Sequence, residues 1–395
     1  MKARYQYRFY PTDQQRQSLA QLFGCVRVVW NDALAFCKQS EKLPGYNRLS
    51  SLLTLAKKTD VRKWLTDVSA VPLQQSLRHL DIAYKNFFNS RLPGKRKGKK
   101  VGMPKFKQKT NTQRSEFTKA AFQLKGDSVY LAKIGDIQPI WSRALPSEPS
   151  SVTVIKDCAG RYFLSFVVEI KPINTTTKNQ GIGIDLGIHI FAAMSNGEKA
   201  KSPDYSKSDR KIRRLQKKLA RQLKGSKRRE VTRIRIAKQH NRISDTRKDF
   251  LHKLSTKIVS ENQTIVVEDL AVSGMVKNRR LARAISLQGW REFRDLCEAK
   301  SEKLERNFHT ISRWEPTSQI CSNCGYKWGK LDLSVRKIVC LGCTQSHCRD
   351  ENASRNIEKV GMGHRHDFKR AQRDGKTTLV AQPNEASRIT ALLGR

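Results

Sequence analysis

Three acidic residues and four cysteines are the side chains in this sequence whose types and surroundings could do chemistry. Asp185 stands in Gly181-Ile182-Gly183-Ile184-Asp185-Leu186-Gly187, an apolar run followed by Ile190 to Met194 and the turn Asn196-Gly197. Glu268 closes a second apolar run, Thr264-Ile265-Val266-Val267-Glu268-Asp269-Leu270. Asp350 lies in Arg349-Asp350-Glu351-Asn352-Ala353-Ser354, where helical spacing begins. A carboxylate in an apolar strand is costly to bury unless it is paired or bound to a metal. The glycines beside Asp185 allow another backbone or a ligand to come close. Taken singly, each acid is ordinarily structural, ending a strand or capping a helix.

Taken together, two acids on adjacent strands and one on a following helix match the way a ribonuclease-H-like sheet assembles a metal site. Hard oxygen ligands suit Mg²⁺ or Mn²⁺. Two such ions about 4 Å apart can activate a water, stabilise charge at phosphorus and hold the leaving oxygen. The expected activity is therefore phosphodiester hydrolysis by Asp185, Glu268 and Asp350. Asp269 and Glu351 are alternative ligands. Glu268 is preferred because strand alternation aims it opposite to Asp269.

Cys321-Ser322-Asn323-Cys324 and Cys340-Leu341-Gly342-Cys343 are separated by fifteen residues. Four thiolates at that spacing close a tetrahedron around a structural Zn²⁺, with Gly325 and Gly342 easing the tight knuckles. His347 and Cys348 lie close enough in sequence to substitute as a ligand. The module sits just before Asp350, so it can position that residue or touch a nucleic acid strand.

The elements that must hold these groups are carried by 395 residues, of which 78 are Lys or Arg and 35 are acidic, a formal charge of +43. Such an excess repels itself, and a polyanionic partner is the usual reason to tolerate it. With 38% hydrophobic and 8% aromatic residues the chain reads as folded, with room for two or three domains. No run approaches the roughly 20 apolar residues of a membrane span, and no apolar signal core follows the N-terminus. The expectation is a cytoplasmic, nucleoid-associated protein without a membrane partner. Tight cysteine pairs in a reducing compartment mean metal and not disulfides.

Tyr5, Tyr7 and Phe9 alternate as a strand, and Thr12 with Gln15 forms a capping box that opens a helix. Helical spacing through Leu19–Trp30, Leu49–Leu55 and Leu73–Phe88 makes residues 11 to about 90 a helical lobe. Arg91 to Lys109 is a basic break without an acid, suited to phosphate contact. From Glu116 to Ile170 the pattern turns to strands, a small antiparallel barrel or sheet. The N-terminal strand joins it in this reading, making the helical lobe an insertion. Lys207 to Asp249 reads as a helical hairpin with a stripe of Ile212, Leu215, Leu219 and Leu223. Arg213, Arg214, Lys217, Lys218 and Arg221 lie on its basic outer face as candidate nucleic-acid contacts.

The order of motifs resembles the TnpB family of transposon-encoded RNA-guided DNA endonucleases, related to the type V CRISPR nucleases. The matching pieces are Tyr7-Arg8-Phe9-Tyr10-Pro11, Pro104-Lys105-Phe106-Lys107, Gly183-Ile184-Asp185-Leu186-Gly187 and Asp249-Phe250-Leu251-His252-Lys253-Leu254. They continue with Val267-Glu268-Asp269-Leu270, Pro316-Thr317-Ser318-Gln319 before Cys321 and Cys324-Gly325, and Arg349-Asp350-Glu351-Asn352-Ala353. The resemblance covers about residues 1 to 360.

It implies a multidomain α+β protein. An antiparallel β-barrel, the wedge domain (1–10 and 115–172), would carry an inserted helical recognition lobe (11–114). A ribonuclease-H-like RuvC α/β nuclease domain (173–318 and 349–365) would carry an inserted zinc ribbon (319–348), with a disordered tail at 366–395. It further implies a monomer that binds a guide RNA from the transposon end. Such a protein recognises a short motif beside a double-stranded DNA target and cuts both strands with one Mg²⁺-dependent site. Asp185, Glu268 and Asp350 fall on the family's catalytic positions. Tyr46, Ser50, Gln74 and Thr118 fall where the flanking motif is read. Cys348 and Ser354 replace an acid and an alanine common in the family. Some relatives have lost their acids and act as guided repressors, whereas this chain keeps all three. A guided binding regulator or a transposition accessory with little cleavage is the alternative.

Overall fold

The computed structural model describes residues 1–94, 100–332 and 334–364. Part of the basic break (95–99) and the expected tail at 366–395 therefore lie outside the described residues. The described residues divide into two compact units, one within 1–170 and 215–238 and the other within 171–214 and 239–364.

The first unit opens with β1 (Lys2–Phe9), then α1 (Asp13–Gln39), α2 (Tyr46–Ala56) and α3 (Ala70–Asn89). Strands β2 (Gln113–Thr118), β3 (Phe122–Lys125), β4 (Ser128–Leu131), β5 (Gly135–Ile137), β6 (Ser151–Lys156) and β7 (Tyr162–Glu169) follow. The expected capping box is present, with the Gln15 N–H donating to Thr12 and the Thr12 N–H donating to the Gln15 side chain. β1 pairs with β7 along its whole length, from Lys2 opposite Glu169 to Phe9 opposite Tyr162, so the helical lobe is an insertion in the sheet. Alternate residues face one core, where Tyr7, Phe117, Val152, Val154, Leu164 and Phe166 meet Leu19, Leu22, Leu73 and Leu77 of the helices.

The expected barrel is corrected to an open antiparallel sheet in the order β1-β7-β6-β2, with β3-β4-β5 as a separate three-stranded sheet. Beyond β1 the ladder ends in an isolated bridge between Phe9 and Pro139, and a proline has no N–H with which to extend it. Among the described residues nothing pairs β2 back to that edge, so the sheet does not close.

The second unit contains β8 (Asn179–Leu186), β9 (Ala192–Met194), β10 (Lys199–Ala200), β11 (Asn262–Glu268) and β12 (Asn307–Ile311), ordered β10-β9-β8-β11-β12. Helices α4 (Ser206–Ala220) and α5 (Lys227–Glu261), whose residues 215–238 belong to the first unit, precede β11, and α6 (Val272–Met275), α7 (Ala282–Gln288) and α8 (Trp290–Leu304) follow it. The small hairpin β13 (Lys337–Val339) and β14 (Ser346–Cys348) leads into α9 (Arg349–Gly361). α4 and α5 are the expected helical hairpin. Its apolar stripe is shorter than expected: Ile212 and Leu215 are buried, but α4 stops at Ala220 and Leu223 is 80% exposed in the turn. Ser226 caps α5 by accepting from the Arg229 N–H.

β8, β11 and β12 run parallel, and both faces of this sheet are covered, as parallel strands require. Ile182, Ile184, Ile265 and Val267 face a core with Leu251, Ile258, Phe293 and Cys297 of α5 and α8. The alternate residues face α9, where Val266 and Ile311 pack on Ile357. Gly183 belongs to this second face. A Cβ there would lie 2.1 Å from the Ser354 carbonyl oxygen and 2.4 Å from the Glu358 nitrogen. The helix backbone thus lies directly on the strand.

Gly183→Ala must push α9 off β8. We expect a loss of ~3 kcal/mol or more in urea unfolding, whereas Gly102→Ala, which meets no atom within 4 Å, changes stability by no more than ~0.5 kcal/mol.

Candidate active site and metal centres

The parallel register sets Val267 beside Ile184, so Glu268 and Asp185 are each one residue further along neighbouring strands. Both share the face that carries Gly183 and Val266, against α9, and Asp350 is the second residue of that helix. Alternation turns Asp269 to the other side, where Arg294 binds it at 2.9 Å and Arg313 binds its other oxygen. Glu351 is held by Arg355 at 2.6 Å.

Burial, reinforced by the charges of Glu268 and Asp350, pushes the Asp185 carboxyl up to about 8, against the pull of Arg349 and Arg336. Glu268 is likewise raised by burial, opposed by the Thr317 hydroxyl that donates to it at 2.7 Å. Asp350 receives a hydrogen bond and a charge from Arg336, Nη1 to Oδ1, at 2.9 Å. The donor set consists of hard oxygens whose mutual repulsion a divalent cation would relieve, so it fits Mg²⁺. Arg336 meets part of that need here.

Thr317, named only within a matching motif, and Arg336 are site neighbours to which the sequence reading gave no role. Arg336 had no signal at all among 78 basic residues. The Arg349 N–H donates to the Arg336 carbonyl at 2.8 Å, and two buried asparagines explain how Thr317 is placed. Asn352 accepts from the Ser322 N–H and donates to the Ile320 carbonyl, both at 2.7 Å. Asn356 donates to the carbonyls of Thr317 and Ile320. One face of α9 therefore grips the segment that leads into the cysteine knuckle.

Cys321, Cys324, Cys340 and Cys343 come together with all four sulfurs within 4.8 Å of one another. Among the described residues they are the one such group of three or more Cys, His, Asp or Glu side chains; the three acids as a set are not that tight. Burial raises the Cys321 and Cys340 thiols, the latter to about 12, so thiolates this close need a cation, and the set fits Zn²⁺. His347 places Nε2 at 3.1 Å from the Cys321 sulfur, whereas Cys348 turns its sulfur to the Lys199 amino group at 3.3 Å.

The remaining candidates fall in two places. Tyr46 starts α2 with Arg78 of α3 stacked on its ring at 4.8 Å, and Gln74 is exposed one turn before Arg78. Ser50 is half-buried on α2, and Thr118 ends β2 opposite Ser151. Arg213, Arg214, Lys217 and Lys218 are exposed on α4, with Arg221 just beyond it. Arg213 pairs with Asp209 at 3.0 Å.

A relative from Streptomyces pristinaespiralis, under the provisional name RNA-guided DNA endonuclease, is 41% identical over 98% of this chain and 98% of its own. The chain belongs to the TnpB family. InsQ of Escherichia coli K12, also provisionally named an RNA-guided DNA endonuclease, is 29% identical over 90% of this chain and 92% of its own. Three family models match: "Probable transposase" over residues 165–279, "Helix-turn-helix domain" over 1–42 and "Cas12f1-like, TNB domain" over 290–357. In this TnpB member residues 1–42 form one strand and one long helix. A cryo-EM structure of a Cas12f1–sgRNA–target DNA complex shares the fold, with a TM-score of 0.52 and 16% identity over 87% of this chain and 82% of that one. No helix among the described residues is long and apolar enough to cross a membrane.

The raised Asp185 value sets a sign. An unfolded chain releases this proton near its ordinary value of 3.8 and the folded chain only near 8, so the metal-free protein loses stability as pH rises between them. Asp185→Asn should therefore stabilise the metal-free protein at pH 8 by roughly 2–5 kcal/mol and much less at pH 4. Thermal unfolding in chelator at both pH values measures this. Elemental analysis should find about one Zn²⁺ per chain, and Cys340→Ser should lose it.

Proposed function

We propose that this TnpB-family chain is an RNA-guided, Mg²⁺-dependent DNA endonuclease. In this reading it binds a guide RNA derived from the transposon end and recognises a short motif beside its target. It then cuts both strands of double-stranded DNA at a single RuvC-like site. The observation that carries the reading is the convergence of Asp185, Glu268 and Asp350 on one face of the β8–β11 pair at the start of α9, with Asp185 desolvated.

These three carboxylates would hold Mg²⁺, which when bound supplies a polarised water and a counter-charge for the phosphorane. The chain's own groups have separate tasks. The Thr317 hydroxyl fixes which Glu268 oxygen faces the site. Arg336 balances Asp350 in the metal-free state and brings a guanidinium suited to a phosphate oxygen. The cysteine knuckle, which would hold Zn²⁺, and the Asn352 and Asn356 contacts keep Thr317 in place without touching the reaction. Tyr46, Ser50, Gln74 and Thr118 are the proposed readers of the flanking motif. Arg213, Arg214, Lys217, Lys218 and Arg221 are proposed phosphate contacts of the guide or target. A transposition accessory is the second reading, favoured by the transposase description of the matched family model.

The test is purification from cells carrying the native locus, sequencing of bound RNA, and cleavage of a matching plasmid in Mg²⁺. We expect a discrete transposon-end RNA with a variable segment and linear product. Asp185→Ala should cut slower by a factor of ~10³ or more and bind DNA as before. Cutting by Asp185→Ala at the wild-type rate would remove this site from the reaction, and the lack of any specific RNA would overturn guidance.

A further inference from the structure

The cysteine knuckle has the spacing of a closed metal site. The sulfurs of Cys321 and Cys343 lie 3.7 Å apart, and those of Cys324 and Cys340 lie 3.6 Å apart. A tetrahedron with Zn–S bonds of about 2.3 Å puts its sulfurs ~3.8 Å apart. Four thiolates outweigh the charge of one Zn²⁺, so the loaded knuckle would carry an excess of negative charge. Cys321 and Cys340 are fully buried, where water cannot solvate that excess. Hydrogen-bond donors around the sulfurs must offset it instead.

Asn323 supplies two such contacts. Its N–H donates to the Cys321 sulfur at 3.4 Å, and its side-chain nitrogen reaches the Cys343 sulfur at 3.6 Å. His347 supplies a shorter one, with Nε2 at 3.1 Å from the Cys321 sulfur. Its imidazole is buried on β14, opposite Ile338 of β13, with the Trp328 ring 6.0 Å away between centroids. No His347 nitrogen lies within 4.8 Å of all four sulfurs, so the ring meets the set from outside and is not a fifth member of it. A metal-bound thiolate has lost its proton and can only accept a hydrogen bond. In the loaded knuckle the hydrogen of this contact therefore belongs to Nε2.

We propose that His347 is a positioning residue of the knuckle, which donates its Nε2–H to the Cys321 thiolate, lowers the charge on that sulfur and so retains the metal. The inference rests on the reading that the four cysteines hold Zn²⁺ and does not depend on cutting.

The experiment loads the full chain with Zn²⁺, or with Co²⁺, whose thiolate-to-metal charge-transfer band reports the charge on sulfur. His347→Phe keeps a ring beside Trp328 and loses the donor, whereas His347→Gln keeps an N–H. In competition with a zinc chelator, His347→Phe should bind Zn²⁺ about 10–100-fold more weakly, and His347→Gln should recover most of the loss. In the Co²⁺ form the band should move to longer wavelength in His347→Phe, because a sulfur without its donor gives up an electron more easily, and should return in His347→Gln. Equal zinc affinity in His347→Phe and the wild type would overturn the proposal. Weaker binding in both variants without a shift of the band would make His347 a packing residue and overturn it too. Wild-type zinc affinity in Cys321→Ser would make His347 the ligand in place of that sulfur, which the proposal does not survive. Absence of zinc from the wild-type chain would overturn the metal reading and this proposal with it, whereas zinc held equally by the wild type and His347→Phe overturns this proposal alone.

Discussion

The contact on which the second unit depends is the laying of α9 directly on β8. A helix ordinarily stands off a sheet by the thickness of the side chains between them. At Gly183 that layer is missing, and the Ser354 carbonyl oxygen occupies the space a Cβ would take. Gly361 repeats the arrangement, where an added Cβ would lie 2.2 Å from the Val266 side chain. The helix is held at both of these points, so its first turn cannot slide along the strand. Asp350 is delivered to the neighbourhood of Asp185 as a result, and Asn352 and Asn356 on the same helix fix the approach to the cysteine knuckle. Packing and chemistry are therefore one problem here, solved by two residues with no side chain.

The site is costly to the fold in the way that functional sites often are. Burial penalises the charge on Asp185 and the neighbouring Glu268 and Asp350 repel it, which is why Asp185 resists ionisation. The surroundings offset part of this with Arg336 on Asp350 and a hydroxyl on Glu268. The first unit shows the mirror image of the same cost. There the excess charge is positive, and a cavity lined by four cations has one carboxylate, itself engaged. One unit gathers carboxylates and the other gathers cations.

Much of this was legible in the amino-acid order, because the signals were local. The acids stood out through their apolar flanks, the cysteines through their spacing, and α1 through the Thr12–Gln15 box. Strand alternation separated Glu268 from Asp269, and Arg294 and Arg313 on Asp269 agree with that separation. The family resemblance ordered these pieces into one chain-length pattern. The barrel misled because strand count and hairpin turns do not say whether edges meet. That depends on what lies beyond β1, and Pro139 ends the ladder there. The apolar stripe on the hairpin also ran too far, since periodicity at Leu223 continues past the residue where α4 stops.

The sequence by itself determined the elements, the three acids and four cysteines as residue types, and the excess of positive charge. These follow from periodicity, spacing and net charge, which are properties of neighbouring residues or of the whole sum. Only the tertiary structure decided which cation answers which acid. Arg336 is fourteen residues from Asp350 in the chain, and Thr317 is forty-nine from Glu268, and nothing in the sequence says that either pair is in contact. Only the tertiary structure likewise gathered Arg4, Arg27, Lys107 and Arg114 around one cavity. Charge summed along a chain is blind to direction, and it is the fold that turns an excess into a pocket.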